Sequence, residues 1–188
     1  MGVRLEAACC SDPASGVHYY LPPESLSELE ELTAEDIGLL LGTIRTTAFY
    51  DMVFVDLPPG IGKRNKAVLG LSDRIIDICS HQGPAVFKKD TMERDPAFMA
   101  DEKENLASKT LHILNKYSEG MALDCSGNDD SGRYDFIIRY SEELKESCGD
   151  RLLINIDPSF SAVLLKLLDS LTAAGSEACS SGGGAAFA

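Results

Sequence analysis

"VFVDLPPGIGKRN", residues 53–65, sets an apolar run, a carboxylate, two prolines, two glycines and a lysine in a row. A loop that cradles phosphates follows the pattern G-x-x-x-x-G-K-[ST], whose backbone N–H groups wrap the phosphates while the hydroxyl ligates magnesium. Aligning Gly62-Lys63 with the end of that pattern puts Leu57 at its first glycine and Arg64 at its hydroxyl position. Pro58 and Pro59 also remove donors from the middle of the nest. The stretch is therefore not a phosphate cradle. It fits better an apolar strand that ends on an acid, "MVFVD" at 52–56, with a glycine close behind in "DLPPG". Asp56 could hold the hydration shell of Mg2+, a hard cation that keeps several waters. Gly60, having no side chain, lets its N–H approach a terminal phosphate. A second reading of the same residues makes Asp56 a cap for the following helix and Pro58-Pro59-Gly60 a plain turn.

Outward from this stretch, strands and helices alternate. Residues 52–55 form a continuous apolar run, the pattern of a strand buried on both faces of a parallel sheet. Upstream, Thr33 and Asp36 approximate a capping box for a helix whose apolar face is Ile37, Leu40, Leu41 and Ile44. Residues 17–21 read as a strand stopped by Pro22-Pro23. Residues 1–16 are poorly patterned, with 3–10 resembling the frayed end of a helix. Downstream come a helix over 63–71, a strand at 74–79, helices over 84–92 and 95–106, a strand at 109–115 and a polar loop over 118–133. In "YDFIIRYSEELKES", 134–147, Phe136 to Ile138 favour a strand, but Ile137, Tyr140, Leu144 and Cys148 recur at helical spacing, and a helix is expected. A strand at 152–156 and a helix opening at Pro158 close the pattern. Beyond 173 the chain is glycine-rich and poor in apolar surface, so 174–188 reads as a disordered tail.

This alternation implies one α/β domain over 17–173, with a mainly parallel sheet covered by helices on both faces. Ligands bind such sheets at the carboxyl ends of strands. Here those ends are residues 56–60, 80–83, 115–116 and 157–158.

Composition narrows the function. The 188 residues, 44% apolar and 25% charged, suit one ordinary globular domain. A net charge of -13 opposes phosphate backbones and anionic lipid, so no nucleic-acid role is expected. The short basic runs at Lys63, Arg64 and Lys66 and at Lys88 and Lys89 read as solvated helix faces. Six cysteines (Cys9, Cys10, Cys79, Cys125, Cys148, Cys179) show no CxxC spacing, and no signal peptide opens the chain, which points to a cytoplasmic protein without a disulfide framework or zinc site. No stretch approaches the roughly 18 consecutive apolar residues of an integral membrane segment. His18, His81 and His112 lack the spacing of a metal site or a Ser-His-Asp arrangement. Asp124, Asp129 and Asp130 lack the order of an EF-hand loop and read as a solvated loop. The apolar residues Phe160, Val163, Leu164, Leu167, Leu168 and Leu171 serve core or partner packing.

Taken in order, "YDMVFVDLPPGIG" (50–62), "LSDRIIDICSHQGPAVFK" (71–88), "LHILNKY" (111–117) and "INIDPSF" (154–160) resemble the MinD/ParA superfamily of deviant Walker ATPases. The resemblance is closest to the TadZ/CpaE type of pilus-assembly and septum-site-like members, and it covers roughly 17–171. It implies a P-loop NTPase-like fold with ATP and Mg2+ as cofactors. Asp56 would be the acidic Walker-B residue near magnesium, Gly60 the switch glycine near the terminal phosphate, Asn115 the partner of the adenine edge, and Pro158 a neighbour of the base. Asn115 also reads as a turn residue and Pro158 as a helix starter. As partners the resemblance implies a homodimer, or a protein of a localisation or pilus-assembly system. An Mrp-type iron–sulfur carrier shares the "DLPPG" stretch, although the C-terminal half holds no CxxC.

One departure is large. The family carries a glycine-rich phosphate loop ahead of these motifs, and no such segment occurs in the 188 residues. The expectation is therefore a fold incomplete at its phosphate-loop strand, with a slot between 52–56 and 74–79. Phosphoryl transfer depends on positioning and charge neutralisation, so the chain alone is expected neither to bind ATP tightly nor to hydrolyse it. Two origins fit: the C-terminal part of a truncated ATPase, or a non-catalytic interaction module that keeps the fold.

Overall fold

The computed structural model describes residues 8–13, 15–21, 25, 27, 31–47, 50–60, 62–80, 103–118, 134–143 and 157–180. The chain divides into two compact units, Met1–Asp73 and Arg74–Ala188, and each is taken by itself.

The first unit opens on a hairpin. Strands β1 (Cys9–Ser11) and β2 (His18–Tyr20) pair antiparallel, with Cys9 opposite Tyr20 and Ser11 opposite His18. The Asp12 carboxylate accepts from the Ser15 backbone N–H at 3.0 Å and from its hydroxyl at 2.5 Å. Gly16, at φ +71, donates to the Asp12 carbonyl at 2.8 Å, and Asp12 donates to Val17 at 2.9 Å. Glycine enters that left-handed region without the steric cost of a Cβ. β2 lies within the strand expected at 17–21. At Cys9 and Cys10 β1 corrects the end of the frayed helix expected over 3–10, because this turn folds Cys9–Ser11 back onto a partner that periodicity does not reveal; residues 3–7 lie outside the described residues.

Helix α1 (Ala34–Thr47) starts at the expected capping box. The Asp36 N–H donates to Thr33 Oγ1 at 3.1 Å, while the Thr33 N–H and hydroxyl donate to Asp36 Oδ2 at 2.9 and 2.6 Å. Ile44 is buried and Ile37, Leu40 and Leu41 are half-buried, which is the face the spacing sets. α1 packs against α2 (Lys63–Leu71), whose bounds are those expected. Between these helices runs the 52–56 segment, where the structure departs from expectation. It joins no β-ladder, and Val53, Phe54 and Val55 are exposed, Phe54 by 71%. A run of β-branched and aromatic residues has the propensity for a strand. A strand forms only where a neighbour completes its hydrogen bonds, and no described residue does so for 52–56.

In the second unit β3 (Ile75–Ser80), β4 (Thr110–Tyr117) and β5 (Phe136–Arg139) form a parallel sheet in the order β3-β4-β5. Helix α3 (Lys103–Ser108) precedes β4. Helix α4 (Pro158–Ser180) covers one face, where Ile113, Ile138 and Leu167 form the core with Ile76, Leu111, Phe136, Phe160, Val163 and Leu171 around them. The architecture is thus α/β, with a three-stranded parallel sheet packed by helices.

At 136–139 β5 corrects the helix expected over 134–147, of which 144–147 lie outside the described residues. Phe136 and Ile138 alternate onto the face that α4 covers, and burial on that face outweighs the helical recurrence of Ile137 and Tyr140. α4 continues to Ser180, past the point where disorder was expected to begin at 174. The helix expected over 84–92, most of that over 95–106, most of the loop over 118–133, the strand at 152–156 and the residues 181–188 lie outside the described residues. Among the described residues, no helix is long and apolar enough to cross a membrane.

Candidate functional site

The loop 56–60 is built from behind by Asn65. This residue sits in the first turn of α2, is only 8% exposed, and donates its Nδ2 amide to the Pro58 carbonyl at 2.9 Å and the Gly60 carbonyl at 2.7 Å. Prolines have no N–H, so the loop cannot tie itself together through its own backbone at those positions. A buried side-chain amide does it instead. Gly60 takes φ +132, a region that L side chains rarely adopt, and nothing lies within 4 Å of the place its Cβ would occupy. The backbone path, and not crowding, requires glycine there. Asp56 is exposed at the start of the loop. It does not cap α2: Gly62 holds the N-cap position, with no side-chain cap bond. The helix-cap reading of Asp56 is thereby excluded, which leaves its carboxylate facing no structural duty at that helix.

Asn115 lies at the carboxyl end of β4, opposite Ser80 in the last register pair with β3. Its Oδ1 accepts from the Lys116 N–H at 2.9 Å. Lys116 adopts φ +61, and the β4–β5 register shifts between Leu114 and Tyr117. A bulge and a left-handed lysine interrupt the ladder at the strand end, the edge at which parallel sheets meet ligands.

Pro158 is the first residue of α4, directly after its cap. Asp157 Oδ1 accepts from the Ser159 N–H at 2.8 Å, the Ser159 hydroxyl at 2.6 Å and the Phe160 N–H at 3.3 Å. These bonds, the Ser159 hydroxyl foremost, hold the Asp157 carboxyl below the usual carboxylate range. Proline at this position loses no helical bond, so the helix-starter reading of Pro158 describes what it does locally. The structure therefore brings Asp56 and Gly60 together on one loop of the first unit. Asn115 and Pro158 belong to the second unit.

Sequence reasoning missed Asn65, whose only signal was an amide three residues into a helix that follows two prolines. It also passed over a second group. His112 Nδ1 lies 2.9 Å from Asp77 Oδ2 across the β3–β4 register, and the Cys79 thiol donates toward the same carboxylate at 3.6 and 3.7 Å. His112 is half-buried on the sheet.

Asp56 offers the donor chemistry that a largely hydrated Mg2+ uses, one carboxylate with water filling the remaining positions. Among the described residues no group of three or more His, Cys, Asp or Glu is gathered to hold a metal. The fit to Mg·ATP is partial: one exposed carboxylate, Asp56, and a glycine turn at Gly60 are present, while the 188 residues contain no phosphate cradle. No protein-family model matches the chain, and no curated protein is significantly similar to it in sequence.

Proposed function

We propose that this chain is the C-terminal portion of a MinD/ParA-like ATPase acting in the cytoplasm in protein localisation or pilus assembly, and that by itself it does not hydrolyse ATP. The observation that carries the reading is the 56–60 loop, held by Asn65 in a path only glycine follows readily, with Asp56 free of a capping role. The parallel sheet with its distorted strand end at Asn115 supports the same reading. Asp56 would hold water of the magnesium shell, the Gly60 N–H would donate to the terminal phosphate, the Asn115 amide would meet the adenine edge, and Pro158 would lie beside the base. Bound Mg2+ would neutralise charge on the phosphates. The P-loop NTPase-like fold of this proposal lacks its phosphate-loop strand within these residues, and with it the positioning on which phosphoryl transfer depends. Its partner would be a second copy or a protein of the same localisation or pilus system. The alternative, a non-catalytic interaction module, is favoured by the exposed apolar run at 53–55.

Titrating Mg·ATP into the 15N-labelled chain tests both parts. No saturation in the micromolar range and no phosphate release above background are expected. At millimolar Mg·ATP, amide shifts should concentrate at 56–60 and 115–116. Micromolar, magnesium-dependent binding would overturn the claim of inactivity, and shifts that are absent or scattered would overturn the nucleotide-site assignment.

A further inference from the structure

The antiparallel register of the hairpin sorts its side chains onto two faces. Cys9 stands opposite Tyr20 and Ser11 opposite His18, so Cys9, His18 and Tyr20 share one face, while Cys10 and Tyr19 share the other. On the first face the Cys9 Sγ lies 3.5 Å from His18 Nδ1 and 3.5 Å from Tyr50 Oη; its third neighbour is the Cys10 carbonyl, also at 3.5 Å. Tyr50 comes from a distant part of the chain and packs edge-on to the His18 ring, with centroids 5.5 Å apart and 65° between the planes. Its hydroxyl is bonded to Cys9 and Tyr20, and these bonds, Cys9 first, push the Tyr50 phenol well above its ordinary value. The phenol, protonated at neutral pH, is thus placed where it can give its hydrogen to the Cys9 sulfur.

A thiol, an imidazole that can take its proton and a phenol that can donate to the resulting sulfur make up an activated nucleophile. We propose that Cys9 is a reactive thiol that reduces small hydroperoxides, with His18 carrying the proton and Tyr50 donating to the sulfur. The thiol proton passes to His18 Nδ1, and the thiolate attacks the peroxide oxygen. The S–O bond forms as the O–O bond breaks; sulfur is oxidised by two electrons and the peroxide is reduced. The leaving oxygen takes the proton back from His18, so Cys9–SH and HO–OH become Cys9–SOH and water. Cys9 is half-buried while His18 and Tyr20 are exposed, which leaves a small oxidant a way in. The other cysteines described are placed differently. Cys10 points to the opposite face of the hairpin. Cys79 is buried and gives its proton toward the Asp77 carboxylate, whose charge opposes a thiolate.

The test is peptide mass spectrometry of the whole chain after hydrogen peroxide in the presence of dimedone, which traps sulfenic acids. Cys9 is expected to label about tenfold faster than Cys10 and Cys79, and His18→Gln to slow Cys9 about tenfold. Tyr50→Phe should slow it about threefold, the size expected for one donor. In both variants the Cys10 rate should stay unchanged; a hairpin that had merely loosened would expose both thiols. In concentrated urea the differences among the cysteines should vanish. The proposal is overturned if native Cys9 labels no faster than Cys10, or if neither substitution slows Cys9.

Discussion

Asn65 ties down a loop that its own backbone cannot close, and the cost of removing it is calculable. Asn65→Ala removes the hydrogen bonds to the Pro58 and Gly60 carbonyls, and at about 0.5–1.5 kcal/mol for each it is expected to destabilise by about 1–3 kcal/mol. Asn65→Asp should cost at least as much, since it sets a carboxylate oxygen where the amide donated. Urea denaturation followed by circular dichroism measures both, and an Asn65→Ala midpoint equal to that of the native chain would remove Asn65 from its role. Gly60→Ala isolates the backbone contribution: with open space around the missing Cβ, its expected cost of about 1–3 kcal/mol comes from φ alone. At this scale the sequence singles out Asp56 and Gly60 as candidates, because an acid and a glycine in fixed order after an apolar run are visible in one dimension. Asn65 was not visible, because what marks it is burial of a polar side chain, which exists only after α2 has docked.

Elements divide in the same way between local and distant causes. α1, α2 and the start of α4 were legible because capping residues and helical spacing act within a few residues of chain. β1, β5 and the 52–56 run were misread because a ladder is decided by a partner far away in sequence. The grip of α4 on the sheet gives a direct contrast. Leu167 is 8% exposed against Ile113 and Ile138, so Leu167→Ala should cost about 2–5 kcal/mol, whereas Leu165→Ala, at an exposed position of the same helix, should stay within about 0.5 kcal/mol. Equal midpoints for the two variants in urea would mean that α4 does not pack as described. The helix caps add a dependence on pH. Asp36 and Asp157 both titrate below their ordinary value because of bonds from Thr33 and Ser159. A depressed carboxylate contributes stability that is present above its unfolded pKa of about 3.9 and lost as pH falls through the lower folded value. Helix content should therefore drop as pH falls below about 4, and Asp157→Asn, which keeps an acceptor at the cap without the titration, should soften that drop. Circular dichroism from pH 6 to pH 2 on both proteins checks it, and identical acid profiles would deny Asp157 its share.

For the whole molecule, charge and exposed apolar surface work against each other. A net charge of -13 keeps copies apart at neutral pH, but that repulsion fades near the sequence pI of about 4.6. The run 52–55 has strand-forming composition, joins no ladder and leaves Phe54 in solvent, so it is where pairing between copies would start once repulsion weakens. Asp51 and Asp56 bracket it, and antiparallel self-pairing of 51–56 would set like charges opposite each other. Light scattering is thus expected to rise steeply between pH 6 and 4.6, and Phe54→Ser should suppress the rise several-fold while leaving Leu39→Ser, a change at another exposed apolar position, without effect. Salt separates the causes at pH 7: screening shortens the reach of the repulsion to about 3 Å at 1 M, so scattering by the native chain should grow with salt and that of Phe54→Ser should not. If both proteins scatter alike under acid and salt, association starts elsewhere and the open edge at 52–55 plays no part in it.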